Sequence, residues 1–171
     1  MKRHLLTFCL GSALAGAVLA APEEFASPTI SIGVVVSDLQ KSVEFYTEVV
    51  GMTRTGQFSV DEKFSKQSGL ADGLPIHVTV LKLGEDKDAT QWKLMTFGDR
   101  AQSHRSRHIC DQTGVQYVTI LVKDLTPILK RIREHHVKLL GETPIPLGAD
   151  RHFALIQDPD GTFIELIGPM K

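Results

Sequence analysis

The most promising reactive side chains in the sequence are a histidine and a glutamate on two neighbouring strands. Between those strands lies Asp158-Pro159-Asp160-Gly161, a turn sequence in which proline presets φ and glycine tolerates positive φ. A four-residue hairpin loop there predicts one shared strand face, made of His152, Ala154, Ile156, Phe163, Glu165 and Ile167. His152 and Glu165 would lie on a diagonal roughly 7 to 8 Å apart, within reach of each other. Imidazole and carboxylate groups serve as metal ligands and proton carriers. Alternatively, His152 lies at the sheet rim and bonds only water.

Other candidate polar groups are scattered. His77 precedes an apolar run and could face the same site as His152 and Glu165, although a lone strand histidine is more often structural. The stretch from Gly98 to Gly114 lacks periodicity and is basic, with Arg100, His104, Arg105, Arg107 and His108. This stretch is either a solvated linker or a cationic lip that attracts an anionic ligand. We find no glycine-rich phosphate loop, CxxC pair or Ser-His-Asp pattern.

The N-terminus predicts export. Lys2, Arg3 and His4 precede an uncharged apolar stretch that ends in small residues at Ala20, which is typical of a signal peptide over residues 1–20. We therefore expect a secreted or periplasmic protein without a stable membrane span. An uncleaved anchor is the alternative, but the stretch is shorter than the roughly 20 residues a spanning helix needs.

Cleavage would remove one of the two cysteines, Cys9, and leave Cys110 alone, so an internal disulfide is excluded. We expect Cys110 to be a buried small hydrophobe; the alternative is a reactive or intermolecular thiol. Cleavage would also leave 17 basic and 20 acidic side chains, a formal charge of −3. This balance does not favour binding to nucleic acid or anionic lipid.

One structural unit occurs twice in the chain. Ile30 to Val36 is an apolar β-branched run, followed by cap residues Ser37 and Asp38, a helical pattern from Leu39 to Val50, and Gly51 as a helix stop. Strand-like segments then follow at Arg54 to Val60, Ile76 to Leu83 and Trp92 to Phe97. An irregular segment from Asp61 to Pro75 is expected to carry a short helix.

The second copy begins at Val118 to Val122, and its Asp124 lies 86 residues after Asp38. Its helix carries Leu125, Leu129 and Ile132 at helical spacing, with His135 and His136 at its end. Its later strands are predicted at Lys138 to Leu140, Phe153 to Gln157 and Phe163 to Ile167. We predict an α+β fold of two β-α-β-β-β modules, at about residues 28–98 and 114–168, joined by a linker at about 99–113.

Three motifs in this order resemble the vicinal oxygen chelate superfamily, which includes glyoxalase I, bleomycin-resistance proteins and extradiol dioxygenases. They are Val36-Ser37-Asp38-Leu39 with Phe45-Tyr46 and Gly51; Val122-Lys123-Asp124-Leu125; and Asp158-Pro159-Asp160-Gly161 with Ile164-Glu165-Leu166. The resemblance spans about Ile30 to Ile167. It implies a single domain over residues 21–171, in which the two modules form a curved mixed sheet around a cavity, and it makes a homodimer possible.

The resemblance also implies four metal-ligand positions, one on the first and one on the fourth strand of each module. In this chain they are Ser31, Lys93, Tyr117 and Glu165, where metal-binding members typically show His or Gln, Glu, His and Glu. Only Glu165 is a good ligand, and a lysine ammonium repels a divalent cation. We therefore expect no metal by the family pattern; the alternative is a relocated divalent-metal site at His77, His152 and Glu165.

A second possibility for the same positions is an ion pair between Lys93 and Glu165 that fills the vacated metal position. In a functional version, Lys93 holds an anionic group and Glu165 acts as a catalytic base. Phe163 shares the cavity face with Glu165, whereas strand alternation places Trp92 and Phe153 on the opposite face, in the core.

These residues predict an exported protein that binds a small organic molecule between its modules without a metal, using Ser31, Lys93, Tyr117, His152 and Phe163. The alternatives are a lyase, isomerase or dioxygenase with the relocated metal site, and a non-catalytic scaffold whose cavity is filled. A metal titration separates the first two hypotheses. Melting that shifts with added ligand argues against the third.

Overall fold

The computed structural model describes residues 25–27, 29–102 and 105–171. The expected signal peptide, its cleavage point, Cys9 and His104 lie outside the described residues. In the described part, no helix is both long enough and apolar enough to cross a lipid bilayer.

The chain forms two modules that share the order β-α-β-β-β, and the first contains one additional helix. In the first, β1 (Ser31–Val35) is followed by α1 (Leu39–Glu44), which continues as a π-helical turn (Phe45–Val50), and then by β2 (Thr53–Val60), α2 (Glu62–Ser68), β3 (Ile76–Lys82) and β4 (Gln91–Met95). A short 3-10 turn (Gly98–Arg100) leads toward the second module, which contains β5 (Tyr117–Leu121), α3 (Thr126–Glu134), β6 (Ile145–Leu147), β7 (Arg151–Gln157) and β8 (Phe163–Gly168). The predicted α+β fold of two β-α-β-β-β modules is confirmed.

Each module contains one mixed four-stranded sheet. The strand orders are β1-β4-β3-β2 and β5-β8-β7-β6, and the outer pairs β1–β4 and β5–β8 run parallel. One core serves both modules, because buried side chains of α1, α3 and one face of each sheet pack in a single cluster. The opposite face of each sheet is therefore free of these helices.

Local capping in the first module follows the expectations from the sequence. The Asp38 carboxylate accepts the Lys41 N–H at 3.1 Å, and that N–H and the Lys41 ammonium hold the pKa of the Asp38 carboxyl below its usual range. Gly51, at φ 94°, ends the first helical segment as predicted. The short helix expected between residues 61 and 75 is present as α2.

Three predictions about the second half of the chain are wrong. Lys138 to Leu140 is not a strand; the strand beside β7 is β6, at Ile145–Leu147. The loop between β7 and β8 has five residues instead of four, so Leu155 rather than Ala154 faces Glu165. Cys110 is exposed, not buried.

Candidate functional site

The shifted register separates the predicted histidine and glutamate pair. His152 faces Gly168 and shares its strand face with Ala154 and Ile156, both fully buried in the shared core. Glu165 lies on the opposite, helix-free face. A one-residue slip exchanges every side chain between the two faces of a strand, so the predicted His152–Glu165 pair is wrong.

The extra loop residue has a local cause. One carboxylate oxygen of Asp158 accepts the backbone N–H groups of Asp160, Gly161 and Thr162 at 3.0, 2.8 and 2.8 Å. The Asp158 N–H in turn donates to the Thr162 carbonyl at 2.9 Å. Thr162 is thereby drawn into the turn, and β8 begins one residue later than the turn sequence alone suggests.

The register correction places Phe153 in the site. Phe153 faces Ile167 and Leu155 faces Glu165, so both lie on the helix-free face of the second sheet, together with Phe163. The prediction that Phe153 lies opposite Glu165 is wrong, whereas Trp92 is buried in the shared core as expected.

A cavity of about 660 Å³ lies over this face of the second sheet. Its apolar wall consists of Ile109, Leu140, Ile145, Phe153, Leu155 and Phe163, and its polar groups include Arg107, His108, Glu142, Thr143 and Glu165. The Thr119 hydroxyl donates to the Glu165 carboxylate at 2.6 Å and orients it. Such a cavity is large enough for a small organic molecule.

Residues 105–111, here called the cavity loop, cross the end of the second module. The Arg105 guanidinium donates to the Pro159 carbonyl, and the Ser106 carbonyl accepts from the Gln157 amide at 2.8 Å. Asp111 accepts the backbone N–H groups of Arg107 and His108 at 2.7 and 2.9 Å, and these bonds hold the pKa of its carboxyl below the usual range. Arg107 and His108 therefore lie at the cavity, not in a detached linker.

The four positions implied by the resemblance divide between the two sheets. Ser31 and Lys93 lie on the helix-free face of the first sheet, and Tyr117 and Glu165 on that of the second. The Lys93 ammonium lies 6.0 Å from the centroid of the Phe58 ring. No salt bridge joins Lys93 to Glu165 among the described residues, so the ion pair considered as a second possibility is not formed within one chain.

These side chains do not fit a conventional divalent-metal centre. Lys93 brings a positive charge, and Ser31 and Tyr117 offer neutral hydroxyl groups where imidazoles are usual in the family. The relocated set is not assembled either: His77 is bonded to Ser59 on the helix side of the first sheet, and His152 lies in the second. Within residues 25–27, 29–102 and 105–171, no cluster of three potential ligands is arranged around a metal position.

Two kinds of comparison place the chain among known proteins. The family model of the Glyoxalase/Bleomycin resistance protein/Dioxygenase superfamily matches residues 30–166. Similar solved structures include a glyoxalase family protein from Bacillus cereus, with 16% identity, a TM-score of 0.70, and coverage of 89% of this chain and 99% of that one. The trypanothione-dependent glyoxalase I of Leishmania major has 23% identity, a TM-score of 0.57 and coverages of 81% and 84%.

Glyoxalase I from Zea mays is similar to this chain, with 21% identity and a TM-score of 0.61. The match covers 83% of this chain and 47% of that one. These likenesses in structure concern the fold. The family match spans most of the chain and confirms the resemblance seen in the three motifs. The chain belongs to the Glyoxalase/Bleomycin resistance protein/Dioxygenase superfamily.

Proposed function

We propose that this protein binds a small amphipathic organic molecule in the cavity of its second module, without the metal usual in the family. The observation that supports this is the combination of an apolar wall with one oriented carboxylate, Glu165, in a cavity of about 660 Å³. The apolar body of the ligand packs against Phe153, Leu155 and Phe163, and a donor or cationic group reaches Glu165. The N-terminal segment is proposed to export the protein.

Thermal melting with a library of aromatic amines and aromatic carboxylic acids tests the proposal. A ligand at 100 times its Kd stabilises the folded state by about 2.7 kcal/mol, which raises the melting temperature by about 5 to 10 °C at this chain length. Glu165→Gln should weaken amine binding at least about tenfold, because it removes the carboxylate charge that the Thr119 hydroxyl orients. Phe153→Ala should weaken all ligands.

Two matched variants serve as controls. Glu85→Gln and Phe64→Ala change an exposed carboxylate and an exposed phenyl ring in the first module. They should bind as the wild type does. The proposal is wrong if no compound shifts the melting temperature, or if the shifts are the same in Glu165→Gln and Phe153→Ala as in the wild type.

Elemental mass spectrometry separates this proposal from metal-dependent catalysis. The purified protein should contain no stoichiometric metal, before or after incubation with Zn²⁺, Ni²⁺, Mn²⁺ or Fe²⁺, because Lys93 repels cations at a family ligand position. Stoichiometric metal that disappears in Glu165→Ala would replace the binding hypothesis with a rebuilt metal centre and a lyase, isomerase or dioxygenase activity.

We further propose that two copies pair through the helix-free sheet faces, as the resemblance to dimeric family members implies. Val35, Tyr117 and Leu121 on these faces are 47%, 45% and 73% exposed. Burial of such apolar side chains favours association. Sedimentation velocity should show a dimer that Leu121→Lys converts to a monomer; a monomeric wild type at all accessible concentrations contradicts this.

A further inference from the structure

A polar groove lies in the first module, on the face of its sheet that packs against the helices. It has a volume of about 430 Å³ and its lining includes Arg54, Gln57, Ser59, His77 and Thr79. Gln57 faces Thr79 and Ser59 faces His77 across the antiparallel pair β2–β3. Arg54 faces Leu81, which is fully buried in the shared core, so these side chains lie on the helix side of the first sheet. The groove is thus separate from the cavity of the second module.

A bulge in β2 creates the cluster. The register shifts between Arg54 and Gly56, so that one extra residue is inserted opposite β3. This insertion puts Arg54 and Gln57 on the same face, although three positions separate them and strict alternation would put them on opposite faces. Arg54 thereby joins the polar side chains that follow it on β2.

Both basic side chains are oriented by a neighbour. The Arg54 guanidinium donates to the Gln57 amide oxygen at 2.8 Å and keeps its other N–H groups for further partners. The Ser59 hydroxyl lies 2.8 Å from Nδ1 of His77. When Ser59 donates to Nδ1, the imidazole carries its proton on Nε2, from which it can donate to a ligand.

The groove is lined by basic and neutral side chains. None of its lining residues is acidic, whereas Arg54 brings a guanidinium and His77 an imidazole. The hydroxyl groups of Ser59 and Thr79 add neutral donors, and Thr79 is only 6% exposed. A guanidinium beside neutral donors can bind the two coplanar oxygens of a carboxylate or the tetrahedrally arranged oxygens of a phosphate.

We infer that this groove is a second binding site, for an oxyanion group of a small molecule, with Arg54 and His77 as its principal donors. Neither residue contacts the cavity of the second module, and the inference does not depend on a ligand there. The bulge supplies the reason why a surface strand carries an oriented arginine. The shared chemistry of the ligand is a carboxylate or a phosphate group.

The test is a titration monitored by ¹H–¹⁵N correlation spectra at constant pH and ionic strength. Inorganic phosphate is the ligand in one arm and succinate in the other. Saturable shifts should appear at the backbone amides of Gln57, Ser59 and His77 in at least one arm, and not with chloride. Arg54→Gln should weaken the binding at least about tenfold. His77→Asn should weaken it less, because Arg54 remains.

Arg133→Gln, which changes an exposed arginine of α3, is the matched control and should bind as the wild type does. Arg54→Lys keeps the charge but loses the fork of donors, so an intermediate affinity is expected even if Arg54→Gln perturbs the fold. The inference is overturned if neither phosphate nor succinate gives saturable shifts at the groove, or if Arg54→Gln and Arg54→Lys both bind as tightly as the wild type.

Discussion

Removing the hydroxyl group of Tyr46 should destabilise the fold, because this group joins the two modules by a hydrogen bond. Tyr46 is fully buried on the first helical segment, and its hydroxyl donates at 2.7 Å to Asp158, which is 3% exposed and 112 residues away. Tyr46→Phe keeps the ring but leaves one Asp158 oxygen without this donor. A hydrogen bond to a charged group contributes about 1.5 to 3 kcal/mol, and burial prevents bulk water from replacing it. We therefore expect a loss of about 2 kcal/mol.

Urea unfolding at neutral pH measures this loss, with the slope checked to be unchanged. A loss of about 2 kcal/mol corresponds to a melting temperature about 4 to 8 °C lower for a chain of this length. Tyr117→Phe is the matched control: Tyr117 is 45% exposed, and its change should be within about 0.5 kcal/mol. If Tyr46→Phe also stays within that margin, the hydrogen bond does not stabilise the fold.

The pH dependence gives an independent test of the same group. Burial, and then the charge and hydrogen bond of Asp158, raise the pKa of the Tyr46 hydroxyl well above its usual value of 10.0. The folded protein keeps a proton that the unfolded chain loses, so this contribution is complete below about pH 10 and is lost as the pH rises through the folded pKa. Above about pH 10 the wild type should lose stability more steeply than Tyr46→Phe; parallel slopes would contradict the assignment.

Two further changes test packing and helix termination. A Cβ atom at Gly168 would lie 2.3 Å from the Val122 carbonyl oxygen. Gly168→Ala should therefore lower the free energy of unfolding in urea by about 1 to 3 kcal/mol or more. Gly56→Ala is the control: a Cβ atom there has nothing within 4 Å, so this change should be neutral or slightly stabilising. Arg131→Met removes hydrogen bonds of 3.0 and 3.2 Å to two carbonyls at the end of the first helical segment, so it should lower the free energy of unfolding by about 1.5 to 3 kcal/mol. Arg133→Met, at an exposed arginine, is its control. Equal effects of the two changes would contradict the role of Arg131.

The repeated unit could be predicted because its signals are local. Apolar periodicity, the cap at Asp38 and the stop at Gly51 each act within one turn of the chain, and the structure reproduces all three. The contact between Tyr46 and Asp158 is different, because it joins residues 112 positions apart. Both lie in motifs that the family resemblance identified, but their spacing alone does not predict that they meet.

The site was harder to predict because it depends on one residue of register. The turn composition correctly located the hairpin, but the three N–H groups bonded to Asp158 lengthened its loop by one residue. That single change put His152 on the core-side face of the sheet and brought Phe153 to the cavity. The second error has a similar origin: two short apolar segments, at residues 138–140 and 145–147, compete for the place beside β7, and pairing across the sheet decides between them.

The asymmetry of the modules explains why the proposed ligand site lies in the second. On the helix-free face of the first sheet, Ile76, Val78 and Val80 form a small buried cluster against Val60, Ala71, Met95 and Phe97. Side chains therefore already occupy the space that a ligand would need there. On the equivalent face of the second sheet, the cavity loop and β6 surround an open volume instead. The two copies of the structural unit thus differ, and the second, which carries Glu165, also carries the cavity.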